Sequence, residues 1–164
     1  MAIRKIRTEE DEILRKQCKP VKDINQRMID LLDDMADTMY EANGVGLAAP
    51  QVGILRQMAV VDVGDGLIEL INPEIIYTEG EQSGYEGCLS VPGKMGIVTR
   101  PLKVKVKATD RKGEEFEIEA EELKARALCH EIEHLSGHLY IERVEGELID
   151  AASLNDDEEE EEDV

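Results

Sequence analysis

The segment that most restricts the fold is His130-Glu131-Ile132-Glu133-His134. Two histidines four residues apart on a helix leave from one face, about one turn apart, so both imidazoles reach toward one metal ion. The flanking residues carry a helical period. Leu123, Ala127, His130 and His134 share a stripe, Leu128 and Leu135 lie beside it, and Gly137 suits a helix end. The pattern predicts a helix over about 121–135 whose stripe faces the core. Two unliganded imidazoles on a buried stripe would cost desolvation free energy. The rest of the chain therefore has to build a core around a metal-carrying helix.

Within that segment Glu131 follows the first histidine and is placed to act as general base on water at the metal. Two histidines leave the site short of a ligand. The extended metalloprotease spacing would put a third histidine at Tyr140, so that pattern fails. His138 follows the helix-ending Gly137, and nothing singles out Glu145, Glu147 or a tail acid. Cys88, in the Gly-flanked turn Tyr85-Glu86-Gly87-Cys88-Leu89-Ser90, is the better candidate, because a thiolate binds soft divalent ions.

Upstream, Ile24, Met28, Leu31, Leu32, Met35, Met39 and Ala42 recur at three- and four-residue steps. They predict a helix over about 23–43, with Asp23 and Gln26 as a capping box and Asn43-Gly44 as its stop. The runs 57–63 and 67–72 read as a hairpin around Gly64-Asp65-Gly66, and 74–78 as an edge strand. Residues 79–96, with five glycines and one proline, read as mostly loop. The runs 103–109 and 116–120 alternate charged with apolar residues and flank Asp110-Arg111-Lys112-Gly113, a second hairpin with one wet face. Strand runs between two helices predict an α+β fold: antiparallel sheets packed around a C-terminal helix that carries the histidines, with a second long helix near the N-terminus.

Composition narrows the function. Aromatics make up 3%, so aliphatic residues, Met and Ala must fill the core. The formal charge of −19 argues against electrostatic nucleic-acid binding and against an anionic membrane as partner. No apolar run is long enough to span a bilayer, and the first residues lack a signal-peptide stretch, so a cytoplasmic location is expected. Three cysteines, Cys18, Cys88 and Cys129, do not make a disulfide framework. Asp156 to Asp163 are eight consecutive acids, without which 30 acids face 19 bases. The chain therefore reads as one catalytic domain over 1–150 and an acidic, solvated tail over 151–164.

Three segments together resemble the peptide deformylases, which remove the formyl group from nascent bacterial proteins. Gly44 to Gln51 matches the family's Gly-x-Gly-Leu-Ala-Ala-Pro-Gln, Glu86 to Ser90 matches Glu-Gly-Cys-Leu-Ser, and Cys129 to Gly137 matches Gln-His-Glu-x-Asp-His-Leu-x-Gly with two changes. The likeness spans about residues 3–148. The resemblance implies that Cys88, His130 and His134 hold one divalent ion, commonly iron(II), with zinc, nickel or cobalt on the same ligands. It implies that Glu131 handles the proton, and that Gln51 and the Leu89 N–H stabilise the oxyanion. Val45, Gly46 and Glu86 would contact the substrate, an N-formylmethionyl nascent peptide. Arg100 would pair with Glu86. Glu133, where the family usually has Asp, would hydrogen-bond a ligand imidazole. Cys129, where the family usually has Gln, is expected to pack. Transient proximity to the ribosome is implied, although not through the acidic tail, which rRNA would repel. A small zinc peptidase and a non-catalytic metal-binding interaction protein are the competing readings; a peptidase needs neither Gln51 nor the cysteine loop, and a purely structural site needs no base such as Glu131.

Overall fold

A computed structural model of the chain describes residues 2–152. The acidic run at 156–163 lies outside them. Two helices, α1 (Gln26–Glu41) and α2 (Glu122–Leu135), and eight strands make up the fold. The strands are β1 (Gly46–Ala48), β2 (Met58–Val61), β3 (Ile68–Glu79), β4 (Gln82–Cys88), β5 (Val91–Arg100), β6 (Lys103–Thr109), β7 (Glu115–Glu121) and β8 (Glu145–Asp150). They form a five-stranded sheet in the order β1-β2-β3-β6-β7 and a three-stranded sheet in the order β4-β5-β8. Every strand pairing is antiparallel, in keeping with the α+β expectation.

The period of two in β1–β3 places the two helices. Successive side chains of a strand point to opposite faces. Leu47, Met58, Val60 and Ile71 go to one face and pack with Leu31, Leu32, Met35 and Met39 of α1. Ala48, Ala59, Val61 and Leu70 go to the other and pack with Ala125, Ala127, Leu128 and Leu135 of α2. Both faces are covered, so β2 reads as the unbroken apolar run Met-Ala-Val-Val. Alanines on both sides of the α2 interface bring the helix close to the sheet. Leu32, Met35 and Met39 are fully buried, and each contributes about 1.5–3 kcal/mol of apolar burial.

Several local expectations change. The cap of α1 is Asn25, whose side chain accepts from the Met28 N–H, rather than Asp23 with Gln26. The runs 67–72 and 74–78 are one strand, β3, which is central in its sheet and not an edge. Asn72, with φ of 51°, bends this strand, and Pro73 follows it. The Asn72 side chain grips both the N–H and the carbonyl of Val21, so a loop on the α1 side is tied to the bulge. The largest correction is at 79–96, expected as loop, which forms most of β4 and β5. Gly96 serves close packing. A Cβ on Gly96 would lie 2.6 Å from a Val144 methyl, and one on Gly87 would lie 3.4 Å from the Lys94 carbonyl. Leu123, expected on the core stripe, is 53% exposed at the cleft.

Gly137 ends α2 with φ of +82°, and a Cβ there would sit 2.6 Å from the Arg15 carbonyl oxygen. Gly137→Ala is expected to lower stability by about 1–3 kcal/mol, because it combines a left-handed backbone with a backbone clash. Urea denaturation checks this; an unchanged midpoint would contradict the packing described.

Candidate metal centre and cleft

The cleft holds about 530 Å³ between the β1 loop, β4 and α2. Its lining includes Val45, Gly46, Gln51, Glu86, Cys88, Leu89, His130 and Glu131. Val45 and Glu131, 86 positions apart in sequence, are thus gathered by elements that pack on the shared core. α2 brings His130, Glu131 and His134 on its buried face, and the end of β4 brings Cys88.

Cys88 Sγ lies 3.3 Å from His134 Nε2, and the two Nε2 atoms lie 3.2 Å apart. The three donor atoms all fall within 4.8 Å of one another. A tetrahedral ion with ordinary Zn–N and Zn–S bond lengths would hold its donors about 3.3 Å (N to N) and about 3.6 Å (N to S) apart. The observed separations therefore fit one small divalent ion. His130 Nδ1 donates to Glu86 Oε1 at 2.5 Å, which turns its Nε2 toward the shared point.

Electrostatics point the same way. Burial works against charging His130, but Glu131, Cys88 and Glu86 outweigh it and draw positive charge to the imidazole. Burial, aided by His130 and Arg100, pushes His134 well below the usual histidine range and keeps it neutral. The acids Glu86 and Glu131 beside the two imidazoles thus favour positive charge at this point of the cleft. Cys88 Sγ also receives the Ser90 N–H at 3.4 Å and lies 3.5 Å from Gln51 Nε2.

Glu131 is buried beside the cleft, and its Oε1 has no hydrogen-bond partner among the described residues. Burial pushes its carboxyl up to about 7. A Cβ on Gly46 would lie 2.8 Å from Glu131 Cγ and Cδ, so any larger residue there would displace the Glu131 side chain. Gln51 is fixed at both ends of its amide. Its Oε1 accepts from the Ala48 N–H at 2.9 Å, and its Nε2 donates to Ser90 Oγ at 3.0 Å. Val45 is exposed on the cleft rim.

Glu86 lines the cleft, but its carboxylate turns into the protein. It accepts from Arg100 Nε and Nη2 at 3.1 and 2.6 Å, and from Arg126 Nη1 at 2.9 Å, besides His130. Burial alone would raise its carboxyl; the bonds from His130 and Arg100 outweigh that and hold it down to about 2. Glu86 thus occupies the imidazole-orienting place expected of Glu133. Glu133 sits one step further out, with Arg100 Nη1 2.7 Å away and Arg143 on its other side. Cys129 is buried, and burial pushes its thiol up to about 11, as it does that of Cys18. Sequence reasoning missed Ser90 and Arg126. Ser90 was visible only as the last residue of its motif, and an arginine on a helix looks like any solvent-facing cation.

The family model for polypeptide deformylase matches residues 3–148. The chain belongs to the polypeptide deformylase family. Deformylases remove the formyl group from the N-terminal formylmethionine of nascent polypeptides, and the family is metal-dependent. A peptide deformylase of Agathobacter rectalis is 59% identical over 150 residues, covering 92% of this chain and 95% of that one. The crystal structure of a Legionella pneumophila peptide deformylase superposes with a TM-score of 0.85 at 48% identity, covering 88% of this chain and 87% of that one. That of the Thermotoga maritima enzyme gives 0.87 at 40% identity, covering 89% and 100%. Membership in the deformylase family favours formyl hydrolysis over the peptidase and interaction-protein readings. Among the described residues no helix is long and apolar enough to cross a membrane.

Cobalt(II) reports thiolate ligation through a sulfur-to-metal charge-transfer band. Cys88→Ala is expected to lose that band and Cys129→Ser to keep it. A band that survives the first change, or vanishes with the second, would reassign the sulfur ligand.

Proposed function

We propose that Cys88, His130 and His134 hold an iron(II) ion in this deformylase cleft, and that Glu131 is the proton carrier for hydrolysis of N-formylmethionyl peptides. The observation that carries this reading is the convergence of three donor atoms within 4.8 Å beside a buried carboxylate with an unbonded oxygen. Zinc, nickel and cobalt suit the same donors. When bound there, the ion supplies Lewis acidity and acidifies coordinated water toward neutral pH.

The chain's own residues supply the rest. Glu131, its carboxyl raised to about 7 by burial, is matched to a proton exchanged near neutrality. It accepts a proton from the attacking water and returns it to the leaving amine as formate departs. Gln51 Nε2, oriented by the grip of Ala48 on Oε1, donates to the formyl oxygen together with the Leu89 N–H. One such donor is typically worth about 3–4 kcal/mol in the transition state. Gly46, which has no Cβ, lets the substrate backbone lie against the Glu131 side of the cleft, and Val45 lines its rim. Glu86 and Arg100 act indirectly, by holding His130. A formyl carbon bears only hydrogen beyond its oxygen and nitrogen, so a narrow site accepts it and excludes an internal peptide carbonyl. On this reading residues 1–150 are the catalytic unit. The work is cytoplasmic, near the ribosome where such substrates emerge, and does not use the acidic tail.

Anaerobic purification with iron quantified, followed by formate release from formyl-Met-Ala-Ser, tests the assignment. Turnover that follows added zinc and not iron would displace iron as the native ion. Glu131→Gln is expected to keep the metal and to lose about 10²–10⁴-fold in kcat. Retained turnover would remove Glu131 from the proton path. Gly46→Ala is expected to displace the Glu131 carboxylate and so to lower kcat while the three ligands still bind metal. Wild-type kcat in that variant would show that the clash is relieved elsewhere.

A further inference from the structure

Arg126 lines the cleft and has no part in the chemistry above. It stands on α2 one turn before His130, and its residue is 8% exposed. Its Nη1 donates both to Glu86 Oε2 at 2.9 Å and to the Val98 carbonyl at 3.1 Å. Four donors therefore surround the Glu86 carboxylate. Arg100 Nε and Arg126 Nη1 sit on Oε2; Arg100 Nη2 and His130 Nδ1 sit on Oε1. The two guanidinium groups are not equivalent. Arg100 is shared with Glu133, 2.7 Å from its Nη1, whereas Glu86 is the only carboxylate within 4 Å of Arg126 among the described residues. Arg126 also has a second, fixed anchor in the backbone of β5. It cannot follow Glu86 if that side chain turns, so it resists the turn.

We propose that Arg126 is a positioning residue for the metal centre. By holding Glu86 Oε2 against β5, it keeps Oε1 on His130 Nδ1 and His130 Nε2 aimed at Cys88 and His134. The inference rests on the metal reading of those three residues. A side chain that only filled space would be replaced without loss by an apolar one of similar length; a positioning guanidinium would not be.

The test uses the full chain as wild type, Arg126→Met and Arg126→Lys. Cobalt(II) affinity is measured by competition with a chelator, and the thermal midpoint of each metal-free protein serves as the folding control. Arg126→Met is expected to bind cobalt about 10–100-fold more weakly than wild type, the usual effect of losing a residue that orients a ligand. Arg126→Lys keeps the charge but loses the two-point grip, and is expected to fall between the two. A folded Arg126→Met with wild-type affinity would overturn the proposal. If that variant does not fold, Arg126→Lys decides: weaker binding than wild type supports positioning, and equal binding overturns it. Wild type that binds no cobalt would instead overturn the metal reading itself, so the two failures are distinct.

Discussion

The Glu86 carboxylate, supplied by β4, accepts from Arg100 of β5 and from Arg126 and His130 of α2. The second sheet is joined to the helix through this junction, and the cleft is the space the junction leaves. Burying these charges carries a desolvation cost that their attraction offsets only when the geometry is good. The network is therefore poor evidence for stability as such. What it provides is orientation: with four donors on two oxygens, the carboxylate has one plane, and the His130 ring has one direction.

The other half of the site depends on apolar packing. α2 is fixed against the five-stranded sheet by Ala48, Ala59, Val61 and Leu70, while α1 covers the opposite face. A 3-10 turn after β1, Ala49–Val52, then continues from that packed sheet into the cleft, carrying Gln51. Gln51 is held by the Ala48 N–H and by Ser90, so the sheet and the cysteine turn share one amide. Rigid elements thus deliver every side chain assigned to the chemistry, and catalysis benefits from a geometry fixed before substrate arrives.

Much of this was legible from the residues. Both helices, the hairpins at 58–71 and 103–121 and the α+β class follow from hydrophobic period and turn chemistry. The three residues whose donor atoms converge were each singled out, two by their spacing and Cys88 by its Gly-flanked turn and the family motif. What was hidden lay where glycine has two meanings. In 79–96 the glycines signal loop by propensity, yet they lie largely in strands, and Gly96 sits in one where Val144 crowds it. Asn72-Pro73 looked like a break between strands, and long-range bonds to Val21 turn it into a bulge within one. Leu123 fits the helical stripe, but a stripe does not say where the core stops and the cleft begins. That Glu86 and not Glu133 orients His130 was equally out of reach. Which acid meets His130 depends on how β4 crosses α2, and no local spacing encodes that.

The charged faces of β6 and β7 have a consequence of another kind. β7 closes the five-stranded sheet at one side, so one edge of its backbone has no neighbouring strand among the described residues. Such an edge is a template for a second copy of the same strand. Its outer face presents Glu115, Glu117, Glu119 and Glu121, of which three pair across to Lys107, Lys105 and Lys103. Exposed pairs of this type add little to folding free energy. Their lysines lie inward on β6, however, and the acids lie on the rim. Two molecules meeting rim to rim would bring two rows of carboxylates together, so the ladder works as a guard against aggregation.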